Sequence, residues 1–135
     1  MSYVGIDLGT SRVRAAVMVG ATAQVVQFGD GSHFLPAVVA VDKGTLHLGR
    51  AALARAAMNP QDAVLGVKRI LGRAASDDWA MRIARRSGAP VSSQPDGGIA
   101  LHLGGGTYTP EDVVAALLSH VANTVAAASS IPRPT

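Results

Sequence analysis

The fold is decided by a stretch near the start of the chain, Tyr3-Val4-Gly5-Ile6-Asp7-Leu8-Gly9-Thr10-Ser11-Arg12-Val13, which leads into a second apolar run that ends at Val19. The two apolar runs, Tyr3 to Leu8 and Val13 to Val19, are separated by four residues rich in turn formers. Two such runs around a glycine-containing loop predict a β-hairpin.

The loop of this hairpin carries residues that could bind a phosphate and a metal ion. We expect Asp7 to end a buried strand, where an unpaired carboxylate is costly and needs a cation or hydrogen-bond donors. Gly9 permits a sharp turn, after which the N–H groups of Thr10 to Arg12 can form an anion-binding nest. An acid beside bound phosphate is a natural magnesium site. The residues alone leave a second interpretation equally open, namely that Asp7 and Thr10 only stabilise the turn.

The rest of residues 1–48 is predicted to continue as a meander of antiparallel strands. Val25 to Phe28 could form a third strand, and the run from Ala37 to Val41 follows a proline. Thr45 to Leu48 comes after a tight Asp-Lys-Gly turn.

Residues 49–128 are predicted to be helical, with a small hairpin inserted. We expect helices over Arg50 to Met58, from Asp62 to about Leu71, over Asp78 to Arg86, and from Pro110 to about Ala128. Ala89 to Ser93 and Ile99 to Leu103 flank a Pro-Asp-Gly-Gly turn and predict the hairpin. Residues 129–135 are expected to form a flexible tail. The fold class is therefore α+β.

Composition narrows the possible functions. The chain has 135 residues, of which 48% are hydrophobic and 16% charged, as in one compact domain. The net charge of +3 is carried by basic residues spread from Arg12 to Arg133, with few aromatics to stack on bases, so we expect no nucleic-acid partner. The absence of cysteine excludes disulfides and thiolate metal sites. No apolar stretch approaches ~20 residues, so we expect a cytoplasmic protein with no membrane partner.

Several motifs carry a resemblance to a known family. Gly5-Ile6-Asp7-Leu8-Gly9-Thr10-Ser11 resembles the first phosphate motif of the actin-like ATPase superfamily, and also the opening of bacterial carbohydrate kinases. Leu48-Gly49-Arg50-Ala51-Ala52, Asn59-Pro60 and Val67-Lys68-Arg69-Ile70-Leu71-Gly72-Arg73 resemble the ATPase domain of seventy-kilodalton heat-shock (DnaK-type) chaperones. Tyr108-Thr109-Pro110-Glu111-Asp112 resembles the start of its long helix. Carbohydrate kinases lack the middle segment, so the chaperone family is favoured.

The resemblance implies a fold and a set of site residues. The fold would be the first part of the first lobe of an actin-like (ribonuclease H-like) ATPase domain, which binds ATP or ADP with Mg²⁺ between two lobes. Asp7 would hold Mg²⁺ through water, Gly9, Thr10, Ser11 and Arg12 would bind phosphate, and Lys68 would be the catalytic lysine. Ser11 stands where the family usually has threonine. Arg12 replaces a smaller polar residue or tyrosine, and it could either add a phosphate contact or block the pocket.

We therefore expect a fragment of a heat-shock chaperone whose full-length parent hydrolyses ATP to drive binding and release of unfolded polypeptide, with co-chaperones as partners. The 135-residue piece alone should be inactive, and an exposed sheet edge should favour self-association. The alternatives are a fragment of a carbohydrate kinase-like protein and a non-catalytic binding or assembly module.

We expect Arg82, Arg85 and Arg86 to form a solvated face of the helix predicted over Asp78 to Arg86.

Overall fold

The second strand of the first hairpin lies at the centre of a four-stranded antiparallel sheet. The structure, a computed structural model, describes residues 3–129. In it, β1 (Val4–Leu8) pairs along its whole length with β2 (Arg12–Val19), with Leu8 opposite Val13. β3 (Thr22–Val25) pairs with the end of β2, and the short β4 (Leu35–Pro36) pairs with its beginning. The predicted hairpin is confirmed.

The position predicted for the third strand was wrong. β3 ends at Val25, where the prediction had the strand begin. Gly20 adopts a positive φ of 62° in the tight turn after β2, so the chain reverses at once and pairs from Thr22 onward. Beyond Val25, the side chains of Val26 and Phe28 enter the core instead of extending the ladder.

A second sheet follows, with the order β6-β5-β7, so the strands up to Leu48 belong to two sheets. β5 (Val38–Asp42) lies in its middle, between β6 (Thr45–Leu48) and β7 (Ala63–Leu65). The helix predicted over Arg50 to Met58 is confirmed as α1 (Gly49–Met58), which covers one face of this sheet. Val39 and Val41 belong to the main core, whereas Val38 and Ala40 pack with residues of α1, so β5 is buried on both faces.

The helix predicted from Asp62 to Leu71 does not form. A 3₁₀ turn at Pro60–Asp62 leads into β7, and a second 3₁₀ turn spans Val67–Arg69. Asp62 does not cap a helix here, because its carboxylate accepts a hydrogen bond of 3.2 Å from the N–H of Gly104. Pairing with β5 buries Ala63 and Val64 completely, and this long-range burial overrides the local preference.

The second predicted hairpin and the helix over Asp78 to Arg86 are confirmed, whereas the strand β10 (Gly106–Tyr108), which pairs with the second strand of that hairpin, was not predicted. α2 (Asp78–Arg86) is capped by Asp77, whose carboxylate accepts a 3.0 Å hydrogen bond from the Ala80 N–H. β8 (Val91–Ser93), β9 (Ile99–Leu103) and β10 (Gly106–Tyr108) form a third antiparallel sheet.

The long C-terminal helix α3 (Pro110–Ser129) closes the core. Thr109 accepts a hydrogen bond from the Asp112 N–H while its own N–H donates to the Asp112 carboxylate, a reciprocal cap that fixes the helix start. One buried cluster joins the inner face of β2 with β9 and α3 through side chains that include Val13, Val17, Leu101, Leu117, Val121 and Val125. The tail predicted for residues 129–135 lies outside the described residues except for Ser129, which ends α3.

Candidate functional site

The turn between β1 and β2 is held in one conformation by its backbone. The Gly9 N–H donates a 2.9 Å hydrogen bond to the Arg12 carbonyl, and the Ser11 carbonyl accepts a 2.9 Å bond from Ala37. A Cβ atom at Gly9 would lie 2.7 Å from the Arg12 carbonyl oxygen, so a larger residue cannot close this turn without a backbone shift. Within residues 3–129, the N–H groups of Thr10 and Ser11 donate to no protein acceptor. The turn therefore offers two free donors to an anion.

Asp7 differs from the prediction in one respect, because its strand is not buried. Gly5, Ile6 and Asp7 are all exposed, since β1 pairs only with β2 among the described strands. Asp7 lies opposite Arg14. The inward side chains of β2 alternate with those of Arg12 and Arg14, so Asp7, Arg12 and Arg14 share the outer face of the sheet. Asp7 is a solvated carboxylate on the face that also presents the turn.

Arg12 is positioned by an aromatic ring. Its guanidinium carbon lies 4.6 Å from the centre of the Phe34 ring, and that of Arg50 lies 5.3 Å from the same ring. Arg50 also forms an ion pair with Asp30, which in turn accepts hydrogen bonds from the N–H and hydroxyl groups of Ser32. The Phe34 ring thus lies close to two guanidinium groups, and each contact favours a fixed position for the arginine side chain.

Lys68 lies on a turn that contacts the first one. A Cβ atom at Gly66, just before the Val67–Arg69 turn, would lie 3.7 Å from the Thr10 methyl group. Val67 is buried and anchors the turn, whereas Lys68 is exposed and, within residues 3–129, has no hydrogen-bond or ion-pair partner. Segments more than fifty positions apart in the sequence therefore meet here.

The two turns border a groove of about 550 Å³. We call it the arginine groove, because four arginines from four different elements line it: Arg12, Arg50, Arg69 and Arg86. Hydroxyl groups in the groove come from Thr10, Ser11 and Ser87. The apolar part of its wall is formed by Phe34, Leu53, Leu65 and Ile83. Arg12 lies on the wall and leaves the groove open. Arg69, and not Lys68, lines the groove.

Three of the groove arginines were missed by sequence reasoning. In the sequence, Arg50 and Arg69 stand out only as parts of the family-like motifs, and Arg86 falls on a helix face that is predicted to be solvated. Arg86 is indeed exposed, yet it ends α2 at the groove. The excess of ten arginines over two lysines was a signal, but the positions are too far apart in sequence to predict that they converge.

The fit of a magnesium ion depends on Asp7. Residues 3–129 contain no cluster of three or more His, Asp or Glu side chains that could enclose a metal ion. Magnesium bound beside phosphates keeps several waters and needs only one or two protein carboxylates. Asp7, exposed and without a protein partner in the described region, fits that limited role.

No helix among the described residues is long and apolar enough to cross a membrane.

Comparison with known proteins gives a consistent result. A family model described as Hsp70 protein matches residues 3–131. The chaperone protein DnaK of Thermus thermophilus, in each of two strains, is 36% identical over 115 residues, which cover 85% of this chain and 18% of the relative. The chaperone protein DnaK of Deinococcus proteolyticus is 37% identical over the same length and coverage. The chain thus spans about a fifth of the length of these curated relatives (18%).

Proposed function

Because the chain belongs to the Hsp70 protein family, we propose that it forms one wall of a nucleotide cleft, in which Mg²⁺ and ATP or ADP bind beside the Gly9–Arg12 turn. In the full-length protein, ATP hydrolysis in this cleft would drive the binding and release of unfolded polypeptide. Co-chaperones would be further partners, and the cytoplasm would be the location. The extent of the family match favours this function over that of a carbohydrate kinase.

One observation carries the proposal. The Gly9–Arg12 turn, with two unpaired N–H groups, lies against the turn that presents Lys68. Phosphoryl transfer requires mainly positioning and electrostatic stabilisation from the protein. Free amide donors on one turn and an unpaired ammonium on the adjoining turn are suited to that task.

Each residue then has a role. The amides and hydroxyls of Thr10 and Ser11 would bind phosphate oxygens, with Gly9 allowing their approach. Arg12, held against Phe34, would add a cation. Asp7 would hold the hydrated Mg²⁺, which supplies charge neutralisation when bound. Lys68 would stabilise developing charge near the transferred phosphate and orient the attacking water.

The proposal also concerns the free edge of the first sheet. β1 has a partner on one side only among the described strands, and Ile6 is 40% exposed. An open edge with exposed apolar residues is a template for another strand. We propose that this edge pairs with a further segment of the full-length protein, and that without such a segment two copies of the chain associate through it.

Calorimetry tests the nucleotide proposal. Mg-ATP should bind the full-length protein, bind the 135-residue chain more weakly, and lose about tenfold in affinity in Asp7→Asn. Asp78→Asn removes an exposed carboxylate of α2 and should have no effect. If the full-length protein binds no nucleotide, the proposal is wrong and a non-catalytic binding module replaces it.

A further inference from the structure

The arginine groove carries positive charge that no neighbouring acidic residue in the described part of the chain neutralises. The three ion pairs among residues 3–129 use Arg50, Arg55 and Arg73. Arg12, Arg69 and Arg86 therefore line one groove without an acidic partner, and no acidic residue of the described range lines it with them. Surface cations usually point away from one another into solvent, so convergence from three separate elements favours an anionic ligand.

The donors in the groove suit phosphate in particular. A guanidinium group presents a planar fork of N–H donors that matches two phosphate oxygens. Stacking on Phe34 fixes Arg12 without using any of its N–H groups. The free N–H groups of Thr10 and Ser11 add uncharged donors on the same wall. The volume of about 550 Å³ lies within the usual range for small-ligand pockets.

The same features bear on the metal requirement. Asp7, the carboxylate that precedes the turn in sequence, does not line the groove. A divalent ion bound to a phosphate chain neutralises part of its charge and occupies some of its oxygens. Three unpaired guanidinium groups would therefore lose hydrogen bonds to phosphate oxygens when the phosphate chain carries a metal ion.

We propose that the arginine groove binds a triphosphate chain in its metal-free form, with Arg12, Arg69 and Arg86 in place of the divalent cation. The inference rests on the proposed function in that it uses the same groove. It adds a second binding state, in which affinity falls when magnesium is added.

The probe is inorganic tripolyphosphate, titrated calorimetrically into the 135-residue chain with a chelator and then with excess Mg²⁺. We expect binding in the chelator, and affinity several-fold lower with Mg²⁺. Arg69→Ala and Arg86→Ala should each lower the affinity about tenfold, the usual effect of losing one charge-assisted hydrogen bond. Arg82→Ala and Arg85→Ala remove the same charge from the outer surface of α2 and should change affinity less than about twofold, since exposed charges are screened.

The four substituted residues are all exposed: Arg69, Arg82, Arg85 and Arg86. Circular dichroism should therefore show that every variant folds. Absence of tripolyphosphate binding, a requirement for Mg²⁺, or equal losses in the Arg82 and Arg85 variants would each overturn the inference. Asp7→Asn separates it from the proposed function, because that variant should weaken Mg-ATP binding and leave tripolyphosphate binding unchanged. If Mg-ATP binds and tripolyphosphate does not, the metal-free binding state is wrong and the proposed function is unaffected.

Discussion

The strands β1 and β5 are both five residues long, both begin with valine, and both contain an aspartate near their end, yet they occupy opposite environments. β5 has neighbours on both sides and is covered on both faces. β1 has one neighbour among the described strands, and its middle three residues are exposed. The strand that leads into the Gly9–Arg12 turn is therefore the less protected one. We infer that stability resides in the layer around β5, and that β1 is available for binding.

The largest expected effect on stability comes from a substitution at Gly104, whose backbone lies close to the backbone of β5. A Cβ atom at Gly104, which has a φ of 54°, would lie 2.5 Å from the Val41 carbonyl oxygen. Gly104→Ala should therefore lower the free energy of unfolding by about 3 kcal/mol, measured by urea denaturation. Gly105→Ala is the control, because its φ is also positive but no atom lies within 4 Å; its cost should be about 1 kcal/mol. Equal effects of the two substitutions would mean that the close contact with β5 does not matter.

Side-chain truncation compares the two strands directly. Val39 in β5 is 1% exposed, so Val39→Ala should cost about 2 kcal/mol through lost burial and the cavity that remains. Ile6 in β1 is 40% exposed, and Ile6→Ala should change stability by no more than about 0.5 kcal/mol. A larger loss in the β1 variant would contradict the assignment of stability to the β5 layer.

A helix or strand could be predicted from the sequence where the residues that determine it lie within the same segment. The first hairpin, α1, α2 and α3 were predicted because their turns, caps and apolar spacing lie within each segment. β7 was missed because three residues pair with β5, some twenty-five positions earlier in the chain. The exposure of β1 was missed because an apolar run does not reveal how many neighbours its strand will have.

The site divides in the same way. Asp7 and the Gly9–Arg12 turn were identifiable from a short motif, and Lys68 from a resemblance; their roles stay predictions. The groove could not be predicted, because Arg12, Arg50, Arg69 and Arg86 come together only through the packing of distant elements.

A charge on the free edge should change association and leave folding intact. Ile6→Lys places an ammonium group on β1, where a lysine discourages pairing with another strand. Sedimentation velocity at high concentration should show less dimer for Ile6→Lys than for the unchanged chain, with similar thermal unfolding. A strictly monomeric unchanged chain would count against association through β1.

The smallest effect concerns the carboxylate of Asp77, which caps α2 and belongs to neither strand. The hydrogen bond from the Ala80 N–H, reinforced by Arg73, lowers the pKa of Asp77. Its ionised form is therefore favoured in the folded state, so it stabilises the protein above the usual aspartate pKa of about 4, and this contribution is lost as pH falls through the lowered value. Asp77→Ala should lower the urea midpoint at pH 7, and the difference should narrow by pH 3. A difference that is the same at both pH values would exclude this ionic contribution.

The most direct measurement of the proposed catalytic role is ATP turnover by the full-length protein with Lys68→Ala, beside Mg-ATP binding by the same variant. The control is Lys43→Asn, which removes the only other lysine and suits the positive φ of 49° in the β5–β6 turn. We predict that Lys68→Ala retains binding and loses about a hundredfold in turnover, and that the control is unchanged. Turnover that survives in Lys68→Ala, or falls equally in both variants, would contradict the assignment of Lys68 to catalysis.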